Sequence, residues 1–216
     1  MNNKVLLFDL YGLFMQEQDD SGRASIEKAA QLEKIGISRE DFWHAYHACR
    51  SELDAGRVSY SEYFQLVAGK LGIEFPHLQA VVDADYESYQ GYHADMVAWL
   101  REIVDQGWHP ALLSNLVESL KYDLLARYDW LHLFDPAVFS CDVDLAKPNV
   151  EIYELAIEKI NEARAARNEA AVQACDILFF DDREVNCAGA RAAGMHAHLF
   201  IGLADAQAAA AQFLVG

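Results

Sequence analysis

A chain of 216 residues is long enough for one or two domains and for a core that needs no disulfide or metal staple. Its composition, 53% hydrophobic, 12% aromatic and 24% charged, excludes a disordered or fibrous protein. With 17 basic residues against 34 acidic ones the formal charge is -17, a surface that repels nucleic-acid backbones and anionic lipid and offers no basic patch to override that repulsion.

The first apolar run, Val5–Phe8, ends at Asp9 and is far too short for a signal segment or a membrane span. Between Gln16 and Gln90 the strand signal vanishes, and helix starts appear at Ser38–Asp41, a capping box with Asp in place of Glu, and at Ser59–Glu62. This stretch reads as an all-helical insert. A helix over Met96–Gln106 stops at Gly107, and apolar runs follow at Ala111–Leu113 and Ala137–Phe139. Pro148 is placed as the first-turn proline of an amphipathic helix over Glu151–Arg164. The fourth run is Ile177–Phe180, the alanine-rich Ala188–Ala193 ends at Gly194, the fifth run is His196–Ile201, and Ala204–Ala211 reads as a surface helix. Unbroken apolar runs alternating with helices predict parallel strands buried on both faces, hence a doubly wound α/β sheet. The four cysteines, Cys49, Cys141, Cys175 and Cys187, form no CxxC pair and read as reduced thiols of a cytoplasmic protein.

In such sheets ligands bind beyond the carboxyl ends of the strands. Asp9 follows the first run, Ser114-Asn115 the second and Asp181-Asp182 the fourth, while Lys147-Pro148 lies in the loop after the third. The order 3-2-1-4-5 is expected because it sets strand one between strands two and four and gathers Asp9, Ser114 and Asp181. Converging there, these groups could supply a nucleophile, a hydroxyl donor, a charge clamp and a hard-metal site.

Their order along the chain resembles the haloacid dehalogenase (HAD) superfamily over nearly its whole length. FDLYGLF at Phe8–Phe14 is similar to the first motif and makes Asp9 the nucleophile by resemblance. LLSN is similar to the second, so Ser114 and the Asn115 amide would hold the transferred group. AKPNVEIY supplies Lys147, and FFDDREVNCAGARAAGM supplies Asp181 and Asp182, supported by Asn186. The resemblance implies a Rossmann-like core of residues 1–14 and 91–216, a helical cap of residues 15–90, and Mg²⁺ held by Asp9, the Tyr11 carbonyl and Asp181, with Asp182 behind them. The segment Glu52–Phe64 resembles the caps of small sugar-phosphate phosphatases and of the phosphatase domain of bifunctional epoxide hydrolases.

Tyr11 stands where most of these phosphatases carry a second aspartate as acid/base, and Leu13 stands where Thr or Val is usual. General acid/base catalysis contributes about two to four powers of ten, so this chain is expected to favour good leaving groups such as sugar 1-phosphates. The same DxY string resembles the 2-haloacid dehalogenases, which use no metal but replace the acidic pair that is intact here. A catalytically weak binding protein of the same fold is the third reading. The expected partner is a small phosphorylated molecule, with neither nucleic acid nor membrane involved and the oligomeric state left open.

Other candidates read as structural. His44 and His47 lack a third metal ligand, and His196 and His198 alternate along a strand. The helically spaced Tyr86, Tyr89 and Tyr92 are expected to pack at the hinge of the insert, with a stacking role for one of them as the alternative. Cys187 reads as a packing thiol.

Overall fold

The computed structural model describes residues 3–89 and 91–215. At its centre lies β1 (Val5–Phe8), buried along its whole length. It is flanked by β2 (Ala111–Ser114) and β4 (Ile177–Asp181), with β3 (Ala137–Phe139) beyond β2 and β5 (His196–Leu199) beyond β4. All neighbours are parallel and the order is β3-β2-β1-β4-β5, as expected. Leu7 pairs with Ala111 on one side and Phe179 on the other, so the ends of β1, β2 and β4 reach the same edge together.

Alternation of side chains along the strands divides the apolar residues between two faces. Leu6 and Phe8 join a cluster with Leu112 and Phe180, covered by α6 (Ala94–Asp105), α7 (Glu118–Arg127) and α10 (Leu203–Val215). Leu7 joins Ala111, Leu113 and Phe179 in a second cluster, under α8 (Val150–Ala166) and α9 (Glu184–Ala192). Phe8 and Phe180 stack across the ladder at 5.1 Å.

Several local expectations are corrected. β5 is not buried on both faces: His196 and Leu199 are exposed because β5 is the edge strand, and the chain leaves the ladder after Leu199 rather than at Ile201. β2 and β4 are each one residue longer than expected, which takes Ser114 and Asp181 into the last ladder positions. Pro148 lies outside α8, whose N-cap is Asn149, since the chain completes a turn (Asn149 N to Ala146 O, 3.0 Å) before the helix starts. Gly107 and Gly194 do stop α6 and α9, each adopting the left-handed backbone that glycine tolerates, with φ of 84° and 87°.

Between β1 and α6 the described residues 16–89 contain no strand. They form α1 (Asp20–Ala30), the short α2 (Leu32–Ile35), α3 (Arg39–Asp54), α4 (Tyr60–Leu71) and α5 (Leu78–Glu87), with α1 packed on α5 and α3 on α4. The Ser59–Glu62 capping box is complete. At Ser38 only half forms: the hydroxyl accepts from Asp41 N at 3.0 Å, but the Asp41 carboxylate meets that hydroxyl and not the backbone amide, being one methylene shorter than glutamate. Because α5 ends at Glu87, Tyr86, Tyr89 and Tyr92 do not share a helix face; Tyr92 instead forms an antiparallel bridge with Met15.

The chain enters and leaves the insert side by side, Gln16 N donating to Gly91 O and His93 N to Phe14 O, both at 2.8 Å. A Cβ on residue 91 would sit 2.0 Å from Gln16 Oε1, so a larger residue there would push the Gln16 side chain aside. A second seam joins Ser140, which accepts from Leu116 N at 2.9 Å and donates to the carbonyl of Asp54 at the end of α3. The expected boundary at Gln90 lies outside the described residues, as do Met1, Asn2 and Gly216.

Candidate functional site

The parallel sheet delivers its polar residues to one edge. Asp9, 7% exposed, directly follows β1, and its Oδ1 lies 2.7 Å from Lys147 Nζ. The same ammonium reaches Asp181 Oδ2 at 2.7 Å. Asp181 is fully buried and its oxygens are otherwise taken by Asn186 Nδ2, at 2.9 and 3.1 Å, and by the backbone amide of Arg183 at 2.9 Å. Burial pushes the Asp9 carboxyl up to about 8, Lys147 opposing the rise and Asp181 adding to it. Burial acts to lower Lys147, but the two carboxylates outweigh it and the amine is raised.

Lys147 is aimed by a contact that its own motif does not announce. The Asn115 side chain accepts from Lys147 N at 2.9 Å and donates to Lys147 O at 3.0 Å, tying the loop after β3 to the end of β2. Beside it, Ser114 is 1% exposed and its hydroxyl oxygen has no hydrogen-bond partner among the described residues. A buried hydroxyl left in that state costs free energy, about 1–3 kcal/mol, unless a ligand satisfies it.

The Tyr11 hydroxyl donates to Tyr89 O at 3.3 Å, the two rings meeting edge to face. Burial raises its hydroxyl well above the ordinary tyrosine range, so it stays protonated. Gly12 follows with φ of 78°, and a Cβ there would lie 2.5 Å from Asp182 Oδ2. Asp182 is half-buried, and burial followed by Glu17 and Asp181 pushes it up to about 6. One carboxylate oxygen each of Asp9, Asp181 and Asp182 lies within 4.8 Å of the others, a hard-oxygen donor set of the kind that suits Mg²⁺. Leu13 is buried in the core. Cys187 is also buried, its thiol pushed up to about 11 by burial and directed at Asp181 O, which fits packing and not nucleophilic attack.

Above these residues lies a cavity of about 640 Å³ between the strand ends and the helical insert. Asp9, Tyr11, Ser114, Asn115, Lys147 and Asp182 all line it, and Asp181 lies just beneath. So do Arg23 of α1, His47 and Arg50 of α3, Arg57 of the following loop, Tyr89, and Arg183 after β4. Sequence reasoning missed this basic wall, because its members come from separate segments and share no spacing. Of the histidine pair, only His47 lines the cavity, and Tyr89 alone of its series does so. His198 is engaged by Asp205 at 2.6 Å. Arg50 is held by Asp54 at 2.7 Å and by the Tyr46 hydroxyl at 2.9 Å, and that hydroxyl donates in turn to the buried Asp85 at 2.7 Å.

A family model described as haloacid dehalogenase-like hydrolase matches residues 3–194. Among solved structures, a HAD family enzyme from Bacteroides thetaiotaomicron is similar at 18% identity over 92% of this chain and 93% of that one, with a TM-score of 0.67. The wild-type form of that enzyme in complex with magnesium and inorganic phosphate aligns at 17% identity, over 90% and 92% of the two chains, with a TM-score of 0.64. An L-2-haloacid dehalogenase aligns at 18% identity, over 91% and 86%, with a TM-score of 0.62. At these identities the likeness is one of fold. No curated protein is significantly similar to the chain. No helix among the described residues is long and apolar enough to cross a membrane.

Proposed function

The chain belongs to the haloacid dehalogenase-like hydrolases, and from that premise we propose that it is a Mg²⁺-dependent phosphatase hydrolysing a small phosphomonoester, a sugar phosphate foremost, through an aspartyl-phosphate on Asp9. The observation that carries this reading is the charge on the cavity floor. Asp9, Asp181 and Asp182 set three carboxylates against the single ammonium of Lys147. When ionised they leave a surplus of negative charge in a largely buried place, and a divalent cation offsets it.

Asp9, Asp182 and the Tyr11 carbonyl would hold Mg²⁺, which when bound would neutralise the charge between a phosphate dianion and the anionic nucleophile. Asp181, whose oxygens Lys147, Asn186 and the Arg183 amide already occupy, acts by positioning Lys147. The resemblance gives Asp181 to the metal with Asp182 behind it; the hydrogen bonds already made by Asp181 favour the opposite assignment. Asp9 attacks phosphorus in line as the ester P–O bond breaks, and the electron pair leaves with the alcohol oxygen, which takes a proton from water. Lys147, the Ser114 hydroxyl and the Asn115 amide stabilise the non-bridging oxygens. Water then attacks the phosphorus, releasing phosphate and restoring the Asp9 carboxylate. Tyr11, held protonated and turned to Tyr89, is no substitute for an acid/base carboxylate, so leaving groups of low pKa are favoured.

Residues 15–90 act as the cap over a core of residues 1–14 and 91–216, and the free thiols fit a cytoplasmic protein. One observation favours the 2-haloacid dehalogenase reading: Lys147 by itself bridges Asp9 and Asp181, which a metal-free displacement of halide would require. Screening phosphorylated metabolites and halogenated acids with and without Mg²⁺ separates the two. Phosphate release that depends on Mg²⁺ is the expected result. Halide release without metal transfers the chain to the dehalogenases, and thermal stabilisation by Mg²⁺ and phosphate without turnover marks a binding protein.

A further inference from the structure

Of the ten arginines in the chain, eight have a carboxylate within 4 Å. Arg23 and Arg183 have none among the described residues, and both line the cavity above Asp9. In a chain with twice as many acidic as basic residues, exposed arginines find carboxylates readily, so two left unpaired at one cavity call for a ligand. Five of the 17 basic residues line this cavity, against four carboxylates there, although the chain as a whole carries -17.

We propose that Arg23, Arg183 and His47 form a second anion-binding subsite, and that the substrate is a phosphomonoester bearing a further anionic group, a carboxylate or a second phosphate, at its far end. This rests on the phosphatase reading and narrows it, since a neutral sugar tail would leave the subsite empty. The three residues come from α1, α3 and the loop after β4, so they surround the cavity mouth from the insert and from the core. Arg23 is steadied by the Trp43 ring at 5.7 Å, and the Arg183 backbone amide donates to Asp181 Oδ1 at 2.9 Å, which roots the Arg183 side chain directly beside the floor. Arg50 and Arg57 are not the binders. Arg50 is engaged by Asp54 and Tyr46, and Arg57 is bidentate on Glu52 with both contacts at 2.9 Å. Arg23, Arg50 and Arg183 are all close enough to His47 to help burial lower its pKa, which places a concentrated positive potential at this point. About 640 Å³ accommodates a small metabolite reaching from Asp9 to that wall.

The test compares pairs that differ only in the second anion: 3-phosphoglycerate with glycerol 3-phosphate, and fructose 1,6-bisphosphate with fructose 1-phosphate. Affinities are measured by titration calorimetry with Mg²⁺ on Asp9→Asn, which cannot turn over, and kcat/KM on the parent. At least one pair should show a preference of about 10- to 100-fold for the member with the second anion, the worth of a charge-assisted hydrogen bond. Arg23→Gln and Arg183→Gln should each shrink that ratio, through KM more than kcat, and Arg23→Lys should restore part of it. A ratio near one in both pairs overturns the subsite. So does an equal loss on both members of a pair, since general electrostatic steering treats all phosphates alike. If the parent hydrolyses no phosphate ester while Asp9→Asn keeps the affinity ratio, the phosphatase reading fails and the subsite stands.

Discussion

Replacing Lys147 with methionine keeps most of the side-chain volume against Phe179 and removes the cation that bridges Asp9 and Asp181. In the parent, Lys147 Nζ makes contacts of 2.7 Å to Asp9 and to Asp181, both buried. Breaking a buried ion pair by deleting one partner costs about 3–5 kcal/mol, because the remaining charge is stranded. For a chain of this size that corresponds to a fall in Tm of about 6–20 °C. The loss also depends on pH. Asp9 is raised to about 8 in the parent, so its proton contributes stability that is present below the unfolded pKa and is lost as pH rises through 8. Lys147 works to lower that value, so in Lys147→Met it rises further and stability continues to fall above pH 8 where the parent has levelled off. The gap between the two proteins should therefore be constant at pH 5–8 and widen above it. Mg²⁺ at about a hundred times its Kd should return about 2.7 kcal/mol to any protein that binds it only when folded. Thermal melts of both proteins from pH 6 to 9.5, with and without Mg²⁺, measure all of this. A variant that melts within about 1 °C of the parent without metal, with no widening above pH 8, would falsify the account of the floor as a carboxylate cluster clamped by one lysine.

Ser114→Ala removes a buried hydroxyl that has no partner, so stability should hold or rise while kcat/KM falls about 100-fold, as for loss of one donor to a developing oxyanion; chemical melts and steady-state kinetics should move in opposite directions. Tyr11→Asp should raise activity on sugar 6-phosphates by at least about tenfold and leave aryl phosphates little changed, because only poor leaving groups need a proton; similar parent rates on both classes would remove the argument. Asp85 is raised by burial, so its proton adds stability below the unfolded pKa that is lost as pH rises through the folded value. Asp85→Asn should accordingly compare better with the parent at pH 7 than at pH 4, and denaturant midpoints that differ by the same amount at both pH values would refute the assignment.

What the sequence determines by itself are the features whose causes are local or repeat along the chain. Buried strands must be apolar throughout, so Val5–Phe8 and Ile177–Phe180 announce themselves, and the polar residue that ends each run marks the sheet edge where Asp9, Ser114 and Asp181 meet. The same holds for Ser59, whose cap is closed by Glu62 three residues on, and for Gly107 and Gly194 after their helices. The exposure of β5 is not legible in the sequence, because an edge position depends on which strand has no outer neighbour, and the helical spacing of Tyr86, Tyr89 and Tyr92 does not place them on one helix, because nothing local reveals that α5 ends at Glu87. Only the tertiary structure decides which groups share a charge. It sets Asn115 against the Lys147 backbone, leaves Ser114 without a partner, turns Tyr11 to Tyr89, and gathers Arg23, His47 and Arg183 at one cavity. Pairing energies fall off over a few ångströms in space and not along the chain, so residues from α1, α3 and the loop after β4 become one electrostatic unit only when the insert closes over the sheet.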